Sequence, residues 1–163
     1  YGGLAYFLSL IFGENLRYSI IDIPESLAFS AIYLSILLPQ AGHRFCSLAT
    51  PVSGQSTPVF TYVPNTLCSL WIHEAPTADL VINTLSLSEM SDRQIEQYCK
   101  HISRVIDKTG IFFEQNHQSD HQGPGGVLPA HFKNLKKCQS DILNNYPQRR
   151  GQANLWVNPT YEC

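Results

Sequence analysis

Asp22 closes a short β-rich run, Tyr18-Ser19-Ile20-Ile21-Asp22, and lies 19 residues beyond Gly3. A glycine turn that opens a helix, followed about 20 residues later by an acid ending the next strand, is an arrangement that holds a nucleoside. Glycine lets backbone come close to the ligand, and the carboxylate accepts hydrogen bonds from ribose hydroxyls. Gly2-Gly3 supplies the turn. Each feature also has an ordinary structural use, glycine as a turn or cap residue and Asp22 as the cap of a helix at Pro24. Their combination on successive elements is what points to ribose.

Acid–base groups follow other strand candidates. Glu89 lies in Leu87-Ser88-Glu89-Met90, where an acid also suits the first turn of a helix. His117 follows an Ile111 strand directly, with His121 further along the same loop. Glu114, His117, Asp120 and His121 have the residue types of a divalent-metal site, but Glu114 falls inside a strand pattern and no helical register pairs the histidines, so no metal is expected. His73-Glu74 fits an active-site loop or the approach to a strand. Lys133, Lys136, Lys137, Arg149 and Arg150 fit an anionic ligand or a solvated face, and Tyr146, Trp156 and Tyr161 a sugar platform or plain packing.

The elements that position these groups alternate. Leu4, Ala5, Leu8, Ile11 and Phe12 recur at helical spacing, predicting a helix over 3–12 ended by Gly13. The Tyr18–Asp22 run reads as a buried parallel strand. Pro24 opens a helix to about Leu38. Residues 40–57 read as connection with a short strand near Phe45, Val59 to Val63 as a strand closed by Pro64, and Asp79 to Thr84 as the clearest strand. Ser91-Asp92 caps an amphipathic helix carrying Ile95, Cys99, Ile102 and Ile106, which Gly110 ends. A strand over Ile111–Asn116, a polar loop over His117–Gly126, a helix over 129–145 and a strand over Ala153–Val157 complete the chain. Strand alternating with helix predicts an α/β, Rossmann-like, doubly wound fold with a mostly parallel sheet, in a single domain over 1–163.

Composition narrows the function classes. The chain has 163 residues, 44% hydrophobic and 15% charged, which excludes disorder and leaves room for a core. A net charge of −2 provides no field for phosphate backbones, so a nucleic-acid partner is not expected. Five scattered cysteines without a CxxC pair suggest neither a disulfide scaffold nor a zinc ribbon and fit a cytoplasmic compartment. The longest apolar stretch, Leu27 to Leu38, is too short to span a bilayer.

Read together, Tyr1-Gly-Gly-Leu-Ala, Tyr18-Ser-Ile-Ile-Asp-Ile-Pro-Glu-Ser-Leu and Asp79-Leu-Val-Ile-Asn-Thr-Leu-Ser-Leu-Ser-Glu-Met resemble the sugar O-methyltransferases, a branch of the class I S-adenosylmethionine-dependent methyltransferases. The resemblance runs from residue 1 to about 158, and Asp-Ile-Pro-Glu and Ser-Glu-Met are its specific parts. It implies methyl transfer from S-adenosylmethionine to a hydroxyl of a sugar or glycan. It also implies that Tyr1, Gly2 and Gly3 are the tail of a glycine-rich donor motif, that Asp22 and Ile23 hold the ribose, and that Val63 and Pro64 flank the adenine. Asn83, Thr84 and Ser86 would border the methyl donor. The hydroxyl then calls for a base, with Glu89 and His117 as candidates. Strand order in the family is 3-2-1-4-5-7-6, and the chain, which opens at Tyr1 rather than Met, lacks the first, central strand; a break between the Tyr18 and Asp79 strands is therefore expected, with donor binding weakened in this fragment. Two other readings share the pattern: a nicotinamide-dependent oxidoreductase, against which stands the lack of a Tyr-x-x-x-Lys, and a non-catalytic Rossmann-like interaction domain.

Overall fold

A computed structural model of the chain describes residues 2–46, 58–116, 132, 135–138 and 153–158. Its contacts divide into two compact units, Tyr1–Glu74 and Ala75–Cys163.

In the first unit, helix α1 (Gly3–Phe12) leads to strand β1 (Arg17–Asp22), helix α2 (Pro24–Leu37), strand β2 (Gly42–Phe45), strand β3 (Val59–Pro64) and helix α3 (Cys68–Glu74). Pro24 at the first turn pre-sets the backbone of α2, with Glu25 beside it. The three strands pair in the order β1-β3-β2, all parallel, with Asp22 opposite Pro64 and Phe45 opposite Tyr62. The core gathers Ala5 of α1, Leu27, Ala31 and Leu34 of α2, and Phe60 and Tyr62 of β3. His43 stacks over Phe60 and Tyr62, its Nδ1 lying 2.9 Å from the Tyr62 hydroxyl.

In the second unit, strand β4 (Ala78–Thr84) precedes helix α4 (Asp92–Val105), strand β5 (Ile106–Gln115), strand β6 (Lys136–Cys138) and strand β7 (Ala153–Val157). Order in this sheet is β4-β5-β7-β6; β4 and β5 are parallel, and β7 runs antiparallel to both neighbours. Ser91 starts α4 with a capping box: Gln94 Oε1 accepts the Ser91 backbone N–H at 3.0 Å and its hydroxyl at 2.7 Å. Ile95, Cys99 and Ile102 of α4 meet Phe112, Phe132 and Trp156 in one cluster, with aromatic centroids 5.4 and 5.5 Å apart.

The fold class is as expected, α/β and Rossmann-like with three of five strand pairings parallel. Among the described residues β1 ends the three-stranded sheet and β4 ends the four-stranded one. Three local expectations are corrected. Helix α4 stops at Val105, not Gly110, because Ile106 already pairs with Ala78, and β5 runs through Gly110. Lys136–Cys138, expected within a helix, is a strand because β7 offers it an antiparallel ladder. His73-Glu74, expected in a loop or on the approach to a strand, instead closes the helix Cys68–Glu74, with Cys68 and Ile72 inward. Cys138 is disulfide-bonded, a bond that the scattered cysteines did not announce.

Candidate active site

The first unit presents Asp22, Ile23, Val63 and Pro64 along the carboxyl edge of its parallel sheet, since Ile21 lies opposite Val63 and Asp22 opposite Pro64. Asp22 is half-buried, and its Oδ1 accepts the Ile23 backbone N–H at 2.7 Å. That bond goes to the residue before α2, not to the helix's own orphan N–H groups, so Asp22 does not cap it. The second carboxylate oxygen has no partner among the described residues, an acceptor at the sheet end where α/β folds bind ligands. Ile23 is exposed, Val63 is fully buried and Pro64 is half-buried.

Gly2 has φ +76°, a left-handed turn entering α1. A Cβ there would come within 3.1 Å of Tyr33 and 3.3 Å of Leu34, so the glycine also lets α1 seat on α2. Gly3 is the first helical residue, with open space around it. Tyr1 lies outside the described residues.

At the carboxyl end of β4 in the second unit, Asn83 staples the turn that follows. Its Nδ2 donates to Ser86 Oγ at 2.6 Å, and its Oδ1 accepts the Leu87 N–H at 3.4 Å. Leu85 sits at φ +68°, the positive-φ non-glycine residue among those described. A bulky side chain in that conformation costs about 1–2 kcal/mol, offset by the Leu85 N–H bond to Gln115 O at 2.8 Å and by the Ser88 hydroxyl bond to Leu85 O. The turn displays Thr84, Ser86 and Glu89 to solvent. His117 lies outside the described residues, as do Asp120 and His121. No three His, Cys, Asp or Glu side chains among the described residues are placed to hold a metal.

Glu114 is buried, opposite Asn83 of β4 on one side and Asn154 of β7 on the other, so a polar row crosses three adjacent strands. Its Oε1 accepts Asn154 Nδ2 at 2.5 Å and its Oε2 accepts Asn116 Nδ2 at 2.9 Å. The signal in the sequence is the alternation Phe112, Glu114, Asn116, which puts a carboxylate on the same face of β5 as a core phenylalanine. The buried Cys68 and Cys99 have thiols pushed up to about 11 and about 12 by desolvation, with the Glu96 charge adding at Cys99, and are packing residues rather than nucleophiles.

The sequence matches no family model and no curated protein. Among solved structures, one from Clostridium thermocellum described as a candidate rRNA methylase superposes with a TM-score of 0.60 at 14% identity, covering 95% of this chain and 78% of that one. Two structures of LepI, one with SAH and a substrate analogue and one with SAM, reach 0.46 at 12% identity; they cover 93% and 89% of this chain and 46% and 44% of LepI. The first likeness establishes the fold that the chain shares. No helix among the described residues is long and apolar enough to cross a membrane.

Proposed function

We propose that residues 1–163 act as one S-adenosylmethionine-dependent methyltransferase domain whose acceptor is a hydroxyl of a sugar or glycan. The observation that carries this reading is Asp22: a half-buried carboxylate at the carboxyl end of a parallel strand, with one oxygen fixed by the Ile23 N–H and the other without a partner among the described residues. A carboxylate oxygen so placed can accept from a ribose hydroxyl. Asp22 would hold the ribose, Ile23 and Pro64 would border the nucleoside, and the backbone at Gly2 and Gly3 would approach the donor. S-adenosylmethionine would supply an activated methyl group, and the chain's own work is to align the acceptor oxygen with it and exclude water. The Asn83 amide is spent on the turn at the carboxyl end of β4, where Thr84 and Ser86 stay exposed.

The Clostridium thermocellum protein's description raises RNA as an acceptor. A net charge of −2 favours a small hydroxyl compound instead, because a phosphate backbone needs basic contacts. The test is transfer of tritiated methyl from S-adenosylmethionine by the complete gene product, offered methyl glycosides in one set and a structured RNA in another. Label on a glycoside supports the reading. Label on RNA alone, or on neither substrate, contradicts it.

A further inference from the structure

Helix α2 is apolar on both sides. Leu27, Ala31 and Leu34 are buried in the core with Phe60 and Tyr62, while Ile32 and Ile36, on the opposite side of the helix, are exposed, Ile36 by 72%. Helix α1 repeats the pattern: Ala5 is buried, and Leu4, Phe7 and Ile11 form an exposed stripe, Ile11 also by 72%. The two outer sides make one surface, because Tyr6 of α1 meets both Phe7 and Tyr33 of α2 in T-shaped contacts, with ring centroids 5.7 and 6.5 Å apart. Charge is almost absent from it. The 10 residues of α1 include no Asp, Glu, Lys or Arg, and the 14 of α2 include Glu25 alone, in the first turn. Helix α4 has the same 14-residue length and the ordinary build, with Arg93, Lys100 and Arg104 exposed opposite its buried Ile95, Cys99 and Ile102. A helix apolar all round belongs in an interior, so the outer side of α1 and α2 calls for a cover.

Area and charge select that cover. The exposed apolar side chains of the two helices present on the order of 800 Å², the share that each partner gives to a stable protein interface. A lipid surface holds an amphipathic helix through Lys and Arg beside its apolar stripe, and neither helix has one. A charged partner would find no counter-charge here. Against a second copy the surface is its own complement: apolar meets apolar, no like charges are brought together, and a twofold axis closes the contact so that it does not propagate.

We propose that the outer face of α1 and α2 docks onto the same face of a second copy of this chain, two helices from each copy forming a four-helix layer across a twofold axis. The proposal goes beyond the methyltransferase reading and stands without it, since no residue of the candidate site takes part.

The test is sedimentation equilibrium of the complete gene product and its Phe7→Glu and Ile36→Glu variants, from about 0.1 to 100 µM, a span that brackets ordinary dimer affinities. Hydroxyl-radical labelling of the wild type at both ends of that span accompanies it. Wild type is expected at twice the chain mass at the upper end. Each variant should raise the dimer Kd by about 100-fold or more, because an unpaired carboxylate then enters an apolar contact. Both positions are exposed in the single chain, so the far-ultraviolet circular dichroism of the variants should match that of wild type. Phe7, Ile11 and Ile36 should lose labelling as the protein dimerises, while Phe45 of β2, exposed elsewhere in the unit, keeps its own. If a variant fails to fold, the labelling alone decides. Wild type that stays monomeric throughout overturns the proposal, whether the face is then covered within its own chain or binds phosphatidylcholine vesicles. A dimer that neither substitution weakens, or in which these residues label equally at both concentrations, uses another surface and overturns it as well.

Discussion

Replacing Tyr62 with phenylalanine removes one hydroxyl from the centre of the first unit, and its effect on stability should change sign with pH. Tyr62 is fully buried, and its hydroxyl lies 2.9 Å from His43 Nδ1. His43 Nε2 lies 3.2 Å from the Leu38 carbonyl, to which it can only donate, so in the neutral imidazole Nδ1 accepts the Tyr62 O–H. Losing that bond and stranding Nδ1 costs about 1–2 kcal/mol near neutral pH. Burial also pushes the Tyr62 phenol from 10.0 up to about 12. A raised folded-state value means that the unfolded chain loses its proton first. The stability linked to this group is whole below pH 10 and drains away as pH climbs from 10 to 12, by about 2–3 kcal/mol for a shift of this size. Phenylalanine has no such loss. Cys68 and Cys99 titrate in the same direction in both proteins and cancel in the difference. Urea unfolding of both proteins at steps from pH 7 to 12 should therefore show wild type ahead at neutrality and the curves crossing near pH 11. A difference that stays constant over the range, or a phenylalanine variant more stable at pH 7, would refute the hydrogen bond and the burial argument together.

In the native chain at pH 8, Cys46, half-buried, should react with an aromatic disulfide reagent well before Cys68 and Cys99, which need unfolding to react. The Cys46 thiol is itself raised by burial and by the Glu74 charge, whereas Cys99, pushed to about 12, has about one thiolate in ten thousand at that pH. Equal rates for all three would contradict the burial pattern. Ser91→Ala removes the hydroxyl from the α4 capping box and should cost about 1 kcal/mol in urea unfolding, with no effect expected from Ser35→Ala on the exposed face of α2. Phe112→Ala opens the aromatic cluster and should cost about 3–5 kcal/mol, enough to leave the second unit poorly folded by near-ultraviolet circular dichroism.

Much of the fold could be read from local pattern because local chemistry decides it. Asp79 to Thr84 is apolar in a short run bounded by polar residues, Pro24 can stand only at the start of its helix, and Ser91-Asp92 caps the long amphipathic helix. The parts that stayed hidden depend on partners distant in the chain. Lys136–Cys138 has two lysines in three residues and becomes a strand only because β7 lies alongside. Gly110 resembles a helix stop, yet the helix yields five residues earlier, where Ile106 finds Ala78. The candidate site divides the same way. Asp22 announces itself by its spacing from Gly3, and its strand-end position holds. Glu114 reads in the sequence only as a strand acid of metal-ligand type, because its environment comes from Asn154, 40 residues away, and nothing in a single strand pattern reveals which residue will stand opposite.

The central claim is a nucleoside donor site at Asp22. Its most direct test is calorimetric titration of S-adenosylhomocysteine into the complete gene product and its Asp22→Ala variant, with NAD titrated in parallel. Binding of one S-adenosylhomocysteine at micromolar affinity is expected, with no NAD binding and a loss of about 1–3 kcal/mol in the variant from ribose hydrogen bonds left unmade. Binding of NAD alone would make the protein an oxidoreductase. Unchanged affinity in Asp22→Ala would move the ribose elsewhere, and a folded protein that binds neither compound would contradict the account.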